Sequence, residues 1–332
     1  MRWPPVLASS LLVLVLRFAA EPPSAAADPP LEFDRQWTVC TPIPSTVCSY
    51  CGPSGAAVDG SGCVYVTDTD NNQVKRYSDV GGLVTAWGSF GNGDGQFYGP
   101  RGITVNGSGS VYVTDEANNR VQKFTAEGVF LLTWGSRGSA AGQFKDPVGV
   151  AVGPSGNVYV LDEYLRRVQV FTAQGEYVSS FGSNGSGDGQ FTWPAGIAVG
   201  PSGTVYVTDD YLRRVQAFTA DGVFLGKWGS LGSGDGQFIG SLAVTTDGGG
   251  DVYVSDTEKS VVQKFDATGA FLGKWGSRGT GEGQFVWPSG LAVDSQQNLY
   301  LVDRGTCRVL KYAPKLTPAA RVTWGSLKVL YR

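Results

Sequence analysis

At 332 residues the chain can bury one large core or two smaller ones. Its 26 basic and 29 acidic residues nearly cancel, so there is no basic field to draw in nucleic-acid phosphates or anionic lipid, and no nucleic-acid partner is expected. Histidine is absent, which removes the commonest general base, the commonest metal ligand and the usual physiological-pH switch.

The N-terminus reads as an export signal. Arg2 gives a positive start, residues 6–16 are apolar apart from Ser9 and Ser10, and small residues cluster at Ala19, Ala20, Ala25, Ala26 and Ala27. Residues 1–27 are therefore expected to be a signal peptide cut after Ala20 or Ala27, with residues 28–332 forming a single secreted or extracytoplasmic domain. Arg17 is untidy for such a segment, and a Pro/Ala-rich leader without an export role is the alternative. The apolar run is too short to span a bilayer, so the mature chain is not expected to insert into a membrane.

Next comes a segment, residues 31–39, in which Phe33 and Trp37 keep the four-residue spacing of Phe130 and Trp134 or Phe224 and Trp228 farther on. It reads as a displaced strand that completes the last structural unit. Residues 321–326 could fill the same place, and the sequence permits either. Five cysteines follow the leader: Cys40, Cys48, Cys51, Cys63 and Cys307. Export permits disulfides, and an odd count leaves one thiol over. Cys307 is expected to bond Cys40, Cys48 or Cys51, leaving Cys63 as the odd thiol. With no histidine and no second closely spaced pair, Cys48 and Cys51 do not make a zinc site.

From there a repeat accounts for almost everything. Asp68, Asp115, Asp162, Asp209, Asp256 and Asp303 follow one another at 47 residues. Trp87, Trp134, Phe181, Trp228 and Trp275 keep the same interval, as does a Gly-Gln-Phe triplet ending at Phe97, Phe144, Phe191, Phe238 and Phe285. A period of this length marks a solenoid or a propeller. Within one copy, residues 102–105, 111–114, 121–124 and 129–134 read as four short strands separated by turn residues such as Asn106-Gly107 and Ala126-Glu127-Gly128. Four antiparallel strands per unit and six units make an all-β, six-bladed β-propeller.

A loop ending in Gln-Phe, then Pro-x-Gly-Ile-Ala-Val, Val-Tyr-Val-Thr-Asp and x-x-Arg-Val-Gln-x-Phe, as in residues 189–229, resembles the NHL repeat family. Peptide-amidating lyases share that fold, but their chemistry depends on histidines this chain lacks, and Ser-His-Asp catalysis fails on the same count. RNA-binding NHL domains use a basic face, which is missing here. The resemblance implies a propeller that presents loops at one face to a protein, peptide or glycan, with no cofactor and no catalytic residue. Lactonases of similar architecture hold a channel calcium, so the alternative is a metal-dependent hydrolase or lyase using the acidic rim. A third reading is the sensor domain of a larger surface assembly.

The repeated aspartates, one per blade at the same strand end, are expected to hold loop amides and the repeated arginines rather than to catalyse. Sites are sought in departures from the repeat. Glu116, Glu163 and Asp210 follow the aspartate on three consecutive blades and could hold calcium, while the other blades carry Thr69, Thr257 and Arg304. Tyr164-Leu165 and Tyr211-Leu212 replace polar loop residues on two neighbouring blades, and Trp193 should project to the same rim, with Trp287 farther around. Together Tyr164, Leu165, Trp193, Tyr211, Leu212 and Trp287 are the candidate ligand surface, because large aromatics dominate recognition. Packing of these side chains over the seam between blades is the competing expectation.

Overall fold

The structure is a computed structural model that describes residues 31–39, 52–240 and 242–315. The expected signal peptide, Cys40, Cys48, Cys51 and residues 321–326 lie outside the described residues. Six antiparallel sheets of four strands surround a central channel, and among the described residues there is no helix.

The second blade shows how the sequence makes a sheet. Pro100–Val105 lines the channel, Val111–Asp115 and Arg120–Phe124 follow outward, and Phe130–Trp134 forms the outer edge. The second strand of every blade is buried along its whole length, because both faces of each sheet meet a neighbouring blade. The second and third strands each gain one polar residue over the sequence expectation. Asp115 pairs with Arg120 across the ladder, and the buried Arg120 Nε donates to its carboxylate at 2.8 Å, which keeps both residues extended.

Two devices join blades. The phenylalanine of each Gly-Gln-Phe triplet is fully buried, Phe97 against Phe124 of the following blade, for example. Above it Arg120 donates to the carbonyls of Asn92, Gly93 and Gln96, while Gln122 accepts from Gly95 N and donates to Gln96 O. Along the channel, inner strands approach so closely that a Cβ on Gly102 would lie 2.8 Å from the Val148 carbonyl oxygen of the next blade, which explains the glycine in the Pro-x-Gly motif. In the fifth blade Val261 stands where the arginine should be. Lys259 Nζ takes over, donating to the Gly234 and Gln237 carbonyls.

The ring closes through the N-terminal strand. Leu31–Thr38 pairs antiparallel with Arg308–Pro314 as the fourth strand of the last blade, placing Phe33 opposite Tyr312 and Trp37 opposite Val309. Trp37 then covers the turn of the first blade. A Cβ on Gly81, held at φ +88°, would lie 2.7 Å from the indole, and Tyr77 and Tyr300 flank the ring at 6.0 and 6.3 Å. Because the first described strand sits in the last sheet, it ties both ends of the ring together and covers the third strand of that blade. Cys63 is a free thiol.

Candidate functional site

The channel encloses about 980 Å³. Its far end is ringed by Val58, Val105, Val152, Val199, Thr246 and Val293, its middle by small residues, and its mouth by charged and aromatic side chains. That mouth lies at the ends of the second strands, where the repeated aspartates sit. All six aspartates are fully buried. Asp115 accepts from Tyr98 N, Asn118, Arg120 and Gln122, and Asp209 from Thr192 N, Trp193 N and Leu212 N. Their acceptor capacity is spent on loop geometry, as expected for a structural role.

The residues immediately after them divide. Thr69 and Thr257 donate to the carbonyls of Pro100 and Pro288 in the next blade and so belong to the scaffold. Glu163, Asp210 and Arg304 remain at the mouth, and Glu116 pairs with the mouth residue Arg101. The three acids proposed as a calcium ring are not brought together. Glu116 and Glu163 share the Arg101 guanidinium at 3.3 and 3.6 Å, whereas Asp210 turns to Arg213 at 2.8 Å. Among the described residues no three such side chains are arranged to hold a metal ion. Across the mouth Arg304 lies 4.0 Å from Asp70.

Asp146 joins the first pair. It precedes Pro147 at the entrance to the third blade, and the backbone N–H of Glu163 donates to its carbonyl at 2.9 Å. Partial burial, then the neighbouring charges of Glu116 and Glu163, push its carboxyl up to about 7, against the opposing pull of Arg101. Burial also raises Glu163, with Arg101 opposing and Glu116 adding to the rise, while the polar edge of the nearby Trp193 indole lowers it. The arrangement is three carboxyls around one guanidinium, with the Asp146 carboxyl raised toward neutrality and an indole edge alongside. It can donate hydrogen bonds, accept them, and exchange a proton at neutral pH.

Trp193 and Trp287 both line the mouth and are 50 and 46 % exposed. Tyr164 and Tyr211 are 63 and 66 % exposed on the second-to-third-strand loops, outside the channel lining, so neither ring is packed away over a seam. Lys145 Nζ stands over the Tyr164 ring at 4.8 Å. Leu165 and Leu212 are half-buried beneath these loops, and their backbone N–H groups donate to Asp162 and Asp209.

Asp146 and Arg101 were missed in the sequence, although the signal was there. The residue before the inner-strand proline reads Gly52, Gly99, Asp146, Trp193 and Trp287, and Gly240 stands at the corresponding place in the fifth blade. That column aims at the mouth. The tryptophans in it drew attention for their size, while the single carboxylate did not.

Among known proteins, the NHL repeat profile matches residues 50–77, 97–124 and 285–312, and a profile described as a 6-bladed beta-propeller matches residues 151–228. A search of the curated proteins finds no match. Solved structures of similar fold include a streptogramin B lyase, at 14 % identity and TM-score 0.57 over 85 % of this chain and 98 % of that one. A catalytically inactive histidine-to-alanine form of virginiamycin B lyase from Staphylococcus aureus, with quinupristin, aligns at 15 % identity and TM-score 0.58, over 85 and 89 % of the two chains. A gluconolactonase from Xanthomonas campestris aligns at 15 % identity and TM-score 0.59, over 89 and 99 %. The in-phase repeats, the matching repeat profile and the six four-stranded blades agree: the chain is a six-bladed β-propeller that carries NHL repeats.

Proposed function

We propose that the chain is an exported binding module that takes a peptide, glycan or protein segment at the loop face, centred on the channel mouth. One observation carries the reading. The repeated polar residues are consumed by the scaffold, while departures from the repeat leave Trp193 and Trp287 half exposed at the mouth of a large channel lined also by Arg101 and Glu163, with Asp146 in the same electrostatic cluster. An aromatic wall with few convergent polar groups is the usual make-up of a recognition site. Tyr164 and Tyr211 extend that surface outward, and a bound chain would enter over them. The test is binding to immobilised peptide and glycan panels by wild type and by the combined Trp193→Ala and Trp287→Ala variant, with thermal unfolding of both. Loss of binding at an unchanged melting temperature is the expected result; binding that survives in the variant would refute the assignment.

A second reading, a hydrolase or lyase, is favoured by one feature, the proton-active Asp146 at the mouth. The staphylococcal lyase of similar fold is inactivated by replacing a histidine, and this chain has none, so any such activity would need Asp146 and Glu163 as its acid and base. A screen of lactones and esters with and without calcium, repeated on Asp146→Asn, separates the two classes. Turnover abolished by that substitution would replace the binding reading.

A further inference from the structure

Two Asn-X-Ser triplets occur in the sequence, Asn106-Gly107-Ser108 and Asn184-Gly185-Ser186. The triplet is the acceptor signal for N-linked glycosylation of exported chains. The fold treats the two asparagines oppositely.

Asn106 is a turn-capping residue on the face opposite the channel mouth. Its Oδ1 accepts from Ser108 N at 3.1 Å, Ser108 Oγ at 2.8 Å and Ser110 N at 2.9 Å. The first, fifth and last blades carry aspartate at the same place, and in each the second carboxylate oxygen receives a buried tyrosine hydroxyl: Tyr65 to Asp59 at 2.9 Å, Tyr253 to Asp247 at 3.0 Å and Tyr300 to Asp294 at 3.1 Å. In the second blade Tyr112 is fully buried and its hydroxyl has no hydrogen-bond partner, so the Asn106 amide does not reproduce that contact. Its Oδ1 instead holds the turn, and one of its bonds is to the hydroxyl of Ser108, the serine of the same triplet, so modification of Asn106 in the folded chain would require this turn to open.

Asn184 sits in the connection between the third and fourth blades, in a two-residue strand, Ser183–Asn184, paired in parallel with Gln190–Phe191. The repeat sets Phe90, Arg137, Leu231 and Arg278 at the equivalent positions, each bridged to the phenylalanine of its own Gly-Gln-Phe triplet. All five side chains are exposed, Phe90 and Leu231 among them despite being apolar. The scaffold thus points this position outward whatever residue occupies it. A substituent on Asn184 would extend into solvent without disturbing the buried Phe191.

We infer that Asn184 is the N-glycan acceptor of this chain and that Asn106 stays unmodified in the folded protein. The donor class is an oligosaccharide on a lipid diphosphate. Nδ2 bonds to the anomeric carbon, the carbon–oxygen bond to the diphosphate breaks, the lipid diphosphate leaves with the bonding pair, and the amide gives up one proton. The inference rests on the export reading.

The experiment expresses the full chain in a eukaryotic secretory host, once behind its own N-terminus and once behind a heterologous leader. Wild type, Asn184→Gln, Ser186→Ala and Asn106→Gln are compared for gel mobility before and after peptide:N-glycosidase treatment. One enzyme-sensitive glycan is expected, lost in Asn184→Gln and Ser186→Ala and kept in Asn106→Gln. A heterologously led chain that reaches the medium with no enzyme-sensitive shift, or whose shift is lost only in Asn106→Gln, overturns the inference. Failure of the native N-terminus to deliver the chain, with the glycan present behind the heterologous leader, counts against export and leaves the acceptor assignment supported.

Discussion

Replacing Asp146 by asparagine tests the electrostatics of the channel mouth directly. Burial and the adjacent Glu116 and Glu163 push the Asp146 carboxyl from 3.8 up to about 7, so the folded chain holds this proton more tightly than the unfolded chain does. A carboxyl raised in the fold contributes stability that is complete below its unfolded value and is lost as pH rises from about 4 through about 7. Above that window ionised Asp146 works against the fold. At about 1.4 kcal/mol per pKa unit the ceiling is about 4 kcal/mol, and solvent screening at a partly exposed site reduces it to about 1–2 kcal/mol. Asparagine is close in shape and cannot ionise. Asp146→Asn should therefore stabilise the protein by about 1–2 kcal/mol near pH 8 and by nothing near pH 4. Urea unfolding of both proteins at those two pH values, compared at constant ionic strength, measures the difference. An equal gain at both pH values would show that the asparagine acts by packing, and no gain at the higher pH would show that the three carboxyls do not share one field.

Arg101→Met removes the guanidinium that holds Glu116 and Glu163, so it should destabilise the fold by about 1–3 kcal/mol near pH 8 and move the midpoint of the Asp146 titration upward, as a pH series of unfolding curves would show. Trp37→Ala opens the seam between last and first blades and should cost about 2–3 kcal/mol, since the indole covers the Gly81 turn and contacts Tyr77 and Tyr300; an unchanged melting temperature would mean that strand pairing alone closes the ring. The backbone N–H of Val39 donates to the Cys307 carbonyl at 2.8 Å, and a disulfide from Cys307 to Cys40, Cys48 or Cys51 is expected to add about 2–4 kcal/mol. Peptide mapping of the chain recovered from a secretory host that found Cys307 reduced would remove it.

The fold was legible because the repeat prints the same physical demands blade after blade. A buried aspartate recurs in all six blades, and a buried phenylalanine and a glycine at the close approach of inner strands recur five times each, all at one period. Closure was legible only as an alternative, since Phe33 and Trp37 fit the outer-strand pattern while residues 321–326 offered a competitor. Pairing with Arg308–Pro314 decided it, through contacts more than 270 residues apart such as Arg308 to Gln36, which no local pattern encodes. The fifth blade shows a different limit. Lys259 replaces the missing arginine from two positions earlier in the chain, and a column-by-column reading of the repeat cannot see a compensation that moves along the loop.

The site was harder to read because position along the chain does not say where a long side chain goes. Glu116, Glu163 and Asp210 occupy one column of the repeat and were grouped for that reason, yet each settles its charge with whatever lies nearest. Glu163 finds Arg101, more than one repeat earlier in the sequence but across a single seam, and Asp210 finds Arg213 in its own loop. A symmetric scaffold therefore supplies six equivalent starting points and leaves the outcome to unlike neighbours. Function in such a protein is to be sought where two departures from the repeat meet across a seam, and Arg101 with Asp146, Glu163 and Trp193 is the place at the channel mouth where four of them do.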